Sequence, residues 1–231
     1  MKILGLIPAR GGSKGIPNKN QKELGGKPLL QYTIEAALGA KLLDAVVFSS
    51  EDTVLMNMAE QMGAAVAFKR PDHLATDAAG SLEVVQHALQ TLAAQGEHYD
   101  AVCLLQVTTP FRTSEDIDAA ISKFKSVGTD SLISVQKVPH QFNPHWVFEA
   151  SNDNLKIATG ETIIIKRRQD LPDAFIRDGA IYVTKSEVIM KQGSFFGTTI
   201  SHIELDPRRS VNIDTPEDWT KAEEIYKKLY F

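Results

Sequence analysis

The stretch Ile3-Leu-Gly-Leu-Ile-Pro-Ala-Arg-Gly-Gly-Ser-Lys-Gly-Ile-Pro-Asn-Lys-Asn20 decides how the rest of the chain is read. Its first five residues are apolar or glycine and stop at Pro8, the form of a short buried strand. The loop that follows packs Gly11, Gly12, Gly15 and two prolines around the cations Arg10, Lys14 and Lys19, and Lys22 adds another before the first acid, Glu23. Glycines let main-chain amides approach an anion closely, and lysine and arginine supply charge for phosphate oxygens. At the carboxyl end of a first strand, such a loop is a triphosphate cradle; the alternative is an ordinary solvated loop, since loops are polar whatever they do. No Gly-x-Gly-x-x-Gly turn and no Gly-x-x-x-x-Gly-Lys-Ser/Thr run is present, which removes dinucleotide-dependent dehydrogenases and P-loop enzymes.

Outward from this strand, apolar runs recur at Ile3–Ile7, Ala45–Phe48, Ala65–Phe68, Ala101–Val107 and Ser131–Val135, with stretches of helical length between most of them. Strands alternating with helices make an α/β domain with a mostly parallel sheet. Leu30, Ile34, Ala37 and Leu38 form one helical stripe; Leu82, Val85, Leu89 and Leu92 form a second; Ile117, Ile121 and Phe124 form a third. Helix starts are marked at Thr113-Ser-Glu-Asp116 and Thr215-Pro-Glu-Asp218, where a threonine caps and early acids face the positive end. Trp219, Ala222, Tyr226 and Leu229 are the apolar side of the last helix.

The rhythm breaks between residues 137 and 175, where aromatics and histidines cluster (His140, Phe142, His145, Trp146, Phe148) ahead of a short Thr162–Ile165 strand and a basic Lys166-Arg-Arg168. A segment of about forty residues without a crossover helix is too long for an ordinary connection. It is expected to be a small β-rich excursion that packs on a second copy of the chain. The whole of 1–231 otherwise reads as a single domain.

At 231 residues and 43% hydrophobic, the chain can bury a full core without staples. Its 25 basic against 29 acidic side chains give a net charge of −4, so no global field draws it to nucleic acid or an anionic bilayer. The single cysteine, Cys103, excludes an internal disulfide, and its apolar neighbours point to a buried, reduced thiol and a cytoplasmic setting. No apolar run approaches membrane-spanning length, and the N-terminus runs into the glycine loop rather than a signal-peptide cleavage region.

The run Ile7 to Asn20, followed by Leu24-Gly-Gly-Lys-Pro-Leu-Leu30, resembles the start of the acylneuraminate cytidylyltransferases, the CMP-sialic acid synthetases. Further similarities follow in order: Arg70-Pro-Asp-His-Leu-Ala-Thr-Asp77, Leu104-Leu-Gln-Val-Thr-Thr-Pro-Phe-Arg-Thr113, Gly179-Ala-Ile-Tyr182, Phe195-Phe196 and Ile213-Asp-Thr215. The related enzymes for the eight-carbon acid Kdo share the Ile-Pro-Ala-Arg opening but continue with Ser-x-Arg-x-Pro-Gly-Lys-Pro. Ser13-Lys-Gly and Lys19-Asn20 follow the sialate pattern instead.

The resemblance implies a Rossmann-like nucleotidyltransferase fold with a dimerisation excursion. It also implies a magnesium-assisted reaction in which the anomeric hydroxyl of a nine-carbon 2-keto sugar acid attacks the α-phosphorus of CTP and releases pyrophosphate. It assigns the nucleotide to Ala9, Arg10, Gly12, Lys14, Lys19, Asn20, Arg70 and Ser81, with Arg10, Lys19 and Asp214 catalytic. Charge builds on the leaving pyrophosphate, which is where lysine, arginine and backbone amides stabilise most. Arg70 before a proline also fits a turn, Ser81 also fits a helix cap, and the two roles of Ser81 are compatible. Arg112 at a helix entry fits a solvated arginine or one paired with Glu115 or Asp116.

For the sugar, the resemblance names Gln106, Arg168 for the carboxylate, and Tyr182, Phe195 and Phe196 for the acyl-amino wall; ordinary core packing competes for one of the two phenylalanines. The family's Asp-Ile-Asp near the end is Asn212-Ile-Asp214 here, so Asp214 is the metal ligand expected and Asn212 the weaker neighbour. Asp214 also fits a helix-dipole role ahead of Thr215. Where sialate enzymes carry Arg-Pro-Asn before Gly-Ala-Ile-Tyr, this chain has Ile176-Arg-Asp178, and Trp146 stands where some bacterial members carry a lysine. Legionaminate therefore joins N-acetylneuraminate as a sugar to expect. The competing functions are activation of Kdo and, of a different class, a nucleotide-binding module with weak turnover, which Asn212 recommends.

Overall fold

The computed structural model describes residues 1–231. In chain order the elements are β1 (Ile3–Pro8), β2 (Glu23–Leu24), β3 (Lys27–Pro28), α1 (Leu29–Gly39), β4 (Ala45–Ser49), α2 (Thr53–Gln61), α3 (Ser81–Ala94), β5 (Ala101–Leu104), α4 (Ser114–Val127), β6 (Ser131–Lys137), β7 (Phe148–Ser151), β8 (Asn154–Ile157), β9 (Phe175–Lys185), β10 (Ile200–Glu204) and α5 (Pro216–Tyr230). The central sheet runs β10-β6-β9-β5-β1-β4. Every pairing in it is parallel except those of β9, which lies antiparallel to β5 and β6. This is the mostly parallel, helix-flanked sheet that the alternation of runs predicts.

The side-chain period of two sorts β1 and β5 between two cores. Ile3, Ile7, Ala101 and Cys103 face the larger one, built with α1, α2, α4 and α5. Leu4, Leu6, Val102 and Leu104 face the smaller one, against Val85, Ala88, Leu89 and Leu92 of α3. Cys103 is fully buried, and burial pushes its thiol up to about 12, so it is inert at neutral pH. Both threonine starts carry capping boxes, Thr113 with Asp116 and Thr215 with Asp218.

Several local expectations are corrected. Ala65–Phe68 is not a strand; it contributes one bridge, Ala65 to Val47, because the sheet ends at β4 and only Ala65 and its neighbours reach that edge. The run 101–107 is strand only to Leu104, after which the chain turns across the sheet's carboxyl edge. Thr162–Ile165 is irregular; the excursion's hairpin is β7–β8, upstream of it. Leu38 and Leu229 are surface residues, and Ile225 takes the buried place on α5.

The bulge in β9 matters most for function. Ile133 pairs with Tyr182 but Val135 pairs with Arg177, so two steps along β6 oppose five along β9. Ser134 staples the extra turn, accepting from Ile181 N at 2.8 Å and donating to Asp178. Gly179 within it has φ +81°, a left-handed conformation that suits glycine. Bulges re-aim side chains, and this one brings Arg177, Asp178 and Tyr182 around a single cavity.

Candidate active site

The loops after β1, β4 and β5 leave the sheet at the same carboxyl edge, where open α/β sheets collect ligands. The β1 loop is braced from β4. Arg70, only 4% exposed, donates through Nη2 to Ala9 O at 2.6 Å and to Glu51 Oε2 at 2.8 Å. Glu51 Oε1 in turn accepts from Gly11 N at 2.7 Å. Asn20 closes the loop from the far end, donating through Nδ2 to Arg10 O at 2.9 Å. Arg70 is therefore a buried, carboxylate-paired group rather than a turn residue, and its Nε has no partner.

Lys19 ties the loop to the chain's last turn before α5. Its buried ammonium donates to Ile213 O at 2.6 Å and to Asp214 Oδ1 at 3.1 Å. Gly15 rests against the same segment, where any Cβ would collide with Asp214 O. Arg10 and Lys14 meet a single acid, Asp77, at 2.8 and 2.7 Å. The hydrogen bond from Lys14, then that from Arg10, hold the Asp77 carboxyl below the usual range. Both cations are thus held at the loop by one acid, Asp77. Both pairs are exposed enough for water to weaken them.

Together these residues enclose a cleft of about 340 Å³ lined by Ala9, Arg10, Gly12, Lys19, Asn20, Arg70, Ser81, Gln106 and Asp214. A second cavity of about 410 Å³ shares Gln106 with it and is lined by Arg177, Asp178, Gly179, Tyr182, Asn212 and Lys221. Gly179 leaves room for the shared side chain, since a Cβ there would lie 3.0 Å from Gln106 Oε1. Burial raises the Tyr182 phenol, with the Arg177 guanidinium pulling the other way. Asp178 is occupied by Ser134, Gln136 and Ala180 N, whereas Arg177 and Lys221 have no acidic partner.

The remaining expected residues are placed as follows. Lys14 is exposed at the rim and is not part of the cleft lining. Ser81 faces the cleft and does not cap α3, whose cap is Gly80. Arg168 lies apart from both cavities, in a groove of the excursion with Lys137 and His140. Phe195 and Phe196 line neither cavity; both are half-buried against the smaller core, with Phe195 beside Tyr182 at 6.2 Å between rings. Both follow a tight π turn that packs on α3, and within one chain only Phe195 sets its ring beside Tyr182. Arg112 is neither solvated nor paired with Glu115 or Asp116: it is buried, and Asp116 pairs with Arg209.

Asp214 is largely exposed and turned to the cleft, with Asn212 Nδ2 donating to its Oδ2 at 3.0 Å. Its carboxylate does not serve the α5 amides, which Thr215 and Asp218 satisfy. No group of three or more His, Cys, Asp or Glu side chains is arranged to hold a metal. One carboxylate with a neighbouring amide suits a magnesium ion that arrives coordinated by phosphates, not one held by protein alone.

Sequence reasoning passed over Glu51, Asp77 and Lys221, and met Arg177 only as a guanidinium one place away from the family's position before Gly179-Ala-Ile-Tyr182. Glu51 follows β4 directly, the position at which ligand-edge residues collect, and Asp77 ends the Arg70–Asp77 run quoted above. Where Arg177 points, and that Lys221 joins it, carry no such signal, because the bulge that aims one and the helix that presents the other are tertiary features.

A family model described as cytidylyltransferase matches residues 4–230. The chain is 34% identical over 227 residues to a pseudaminic acid cytidylyltransferase of Campylobacter jejuni, covering 98% of this chain and 97% of that one. It is 32% identical over 228 residues to a CMP-N,N'-diacetyllegionaminic acid synthase of Legionella pneumophila, covering 97% and 96%. An N-acylneuraminate cytidylyltransferase of Escherichia coli is 32% identical over 98% of this chain and 52% of its own. Among solved structures, a CMP:2-keto-3-deoxy-manno-octonic acid synthetase complexed with CTP superposes with a TM-score of 0.74 over 99% of this chain and 100% of that one; at 16% identity it speaks for the fold alone.

Proposed function

The chain belongs to the cytidylyltransferase family, and from that premise we propose that it transfers CMP from CTP to the anomeric hydroxyl of a nonulosonic acid, releasing pyrophosphate. The observation that carries the reading is the pair of adjoining cavities: a cation-lined cleft on the phosphate loop, joined through Gln106 to a cavity with two unpaired cations and a tyrosine. CTP takes the first, with Arg70 and Ser81 toward the base and Arg10, Lys19 and the Gly12 amide toward the phosphates. The sugar acid takes the second, with its anomeric oxygen directed past Gln106 at the α-phosphorus.

In the transfer the anomeric oxygen forms a bond to the α-phosphorus and the bond to the bridging oxygen of pyrophosphate breaks. Negative charge accumulates on that oxygen, and fixed cations that need not reorganise stabilise it there. Asp214 with Asn212 would hold a magnesium ion arriving with the triphosphate, and the ion would supply further charge neutralisation in the cleft. Replacing Asn212 with Asp is expected to lower the magnesium concentration for half-maximal rate, because a second carboxylate joins the first. An unchanged magnesium titration would remove residue 212 from the ion's surroundings.

The sugar's carboxylate suits the free guanidinium of Arg177 with Lys221, both in the second cavity; Arg168 reaches a sugar only from another copy of the chain. The excursion supports a homodimer. Its Phe142, Leu155 and Ile163 are 63%, 66% and 76% exposed, more apolar surface than one copy covers. Sedimentation equilibrium at assay concentration should return twice the chain mass, and a monomer would overturn the dimer. We place the reaction in the cytoplasm, with the CTP pool.

The deciding experiment is pyrophosphate release with CTP and magnesium against pseudaminate, legionaminate, N-acetylneuraminate and Kdo, with ATP, GTP and UTP as controls. Release with one nine-carbon acid and CTP only is the expected result. CTP binding without release for any acid would instead identify a nucleotide-binding module.

A further inference from the structure

Arg112 is 6% exposed and its guanidinium has no carboxylate. A buried cation ordinarily needs an acid partner, because desolvation is expensive. The acids nearest in the fold are committed elsewhere: Asp116 to Arg209 at 2.9 Å, and Asp178 to Ser134 and Gln136. Arg112 instead donates to Gln106 O, to Thr109 Oγ1 and, at 3.0 Å, to Thr33 Oγ1 on α1. Burial pushes its pKa down to about 10, which leaves it charged at neutral pH. A costly charge spent mostly on one loop, and tying that loop to α1, indicates that the loop's position matters.

That loop carries two parts of the site. Gln106 O also accepts from Thr109 Oγ1 at 3.1 Å, so the carbonyl is fixed from several sides while the Gln106 side chain lies over Gly179 between the cavities. Two residues on, Thr108 O accepts from Ile213 N at 2.8 Å, and Ile213 O accepts from Lys19 Nζ. One guanidinium therefore fixes the glutamine shared by both cavities and, through Thr108 and Ile213, the chain that carries Asn212 and Asp214.

We infer that Arg112 is a positioning residue for the transfer, setting Gln106 and the Val211–Asp214 segment through the backbone of the Leu105–Phe111 loop. The inference rests on the reading of the two cavities given above. Lysine keeps the charge but not the planar fork that reaches Gln106 O, Thr109 and Thr33 together.

The test compares Arg112→Lys, Gln106→Ala and the double variant with the wild type. Arg112→Lys should bind CTP within about two-fold of wild type and lose about ten-fold or more in kcat/KM for the sugar acid. Placed on Gln106→Ala it should cost clearly less than on the wild type, since the part of the placement that acts through Gln106 is already lost. Amide hydrogen exchange in residues 105–111 and 211–214 should accelerate, with α2 unchanged. Wild-type kcat/KM in a folded Arg112→Lys, a full ten-fold loss repeated on Gln106→Ala, or unchanged exchange in both segments would overturn the inference. Wild-type pyrophosphate release with the sugar panel judges the function separately, and hydrogen exchange judges Arg112 even if no acid in the panel turns over.

Discussion

Lys19→Ala should lower kcat/KM by about 10²–10³-fold, the loss expected when a preorganised charged donor to a developing oxyanion is removed. Lys19 is the most confined cation of the phosphate loop: its Nζ is held between Ile213 O and Asp214, inside the cleft lining. A cation fixed before the substrate arrives need not reorganise as charge moves to pyrophosphate. Lys14 gives the contrast, since its side chain is 79% exposed and paired only with Asp77. Lys14→Ala should therefore weaken CTP binding modestly and leave kcat nearly unchanged. Initial rates at saturating CTP and magnesium decide between them. Near-native turnover in Lys19→Ala would reduce Lys19 to a structural tie between the loop and the segment before α5, visible only as a fall in melting temperature.

Local patterns carried four of the six strands of the sheet. β1, β4, β5 and β6 fall on the apolar runs, and both capping boxes fall on their threonines, because strand burial and helix starts are decided within a few residues. Ala65–Phe68 has the same local pattern as β4 yet forms one bridge, since whether an apolar run becomes a strand depends on whether the chain stays alongside the sheet edge, and here only Ala65 pairs with it. The phosphate loop was legible for a similar reason: glycines and cations at a strand's end state their chemistry in one short stretch. The second cavity was not, because it depends on a bulge in β9 that turns Arg177 and Asp178 across the sheet, and no spacing in the sequence announces an offset of two residues against five. Arg112 misled in the opposite direction. A helix-entry arginine reads as solvated, and the Gln106 carbonyl with the hydroxyls of Thr33 and Thr109 makes its burial tolerable.

The Arg70–Glu51 pair allows bracing and ligand binding to be separated, and the expected effect is large. Removing one member of a buried ion pair costs about 3–5 kcal/mol, because the other charge stays behind unpaired. Arg70→Met leaves the Glu51 carboxylate with only Gly11 N, and leaves Ala9 O without its donor. For a chain of this length the melting temperature should fall by roughly 6–20 °C, at about 2–4 °C per kcal/mol. Arg70→Met combined with Glu51→Met removes both charges and should recover most of that loss, as apolar replacement of a buried pair often does. CTP binding should not recover with it, since in the proposed reading the Arg70 guanidinium faces the nucleotide base. Thermal melts and CTP titration of the two variants report the two roles independently. If the double variant regains both stability and CTP affinity, Arg70 only braces the Ala9–Gly11 backbone, and recognition of the base falls to Ser81 and the main chain around it.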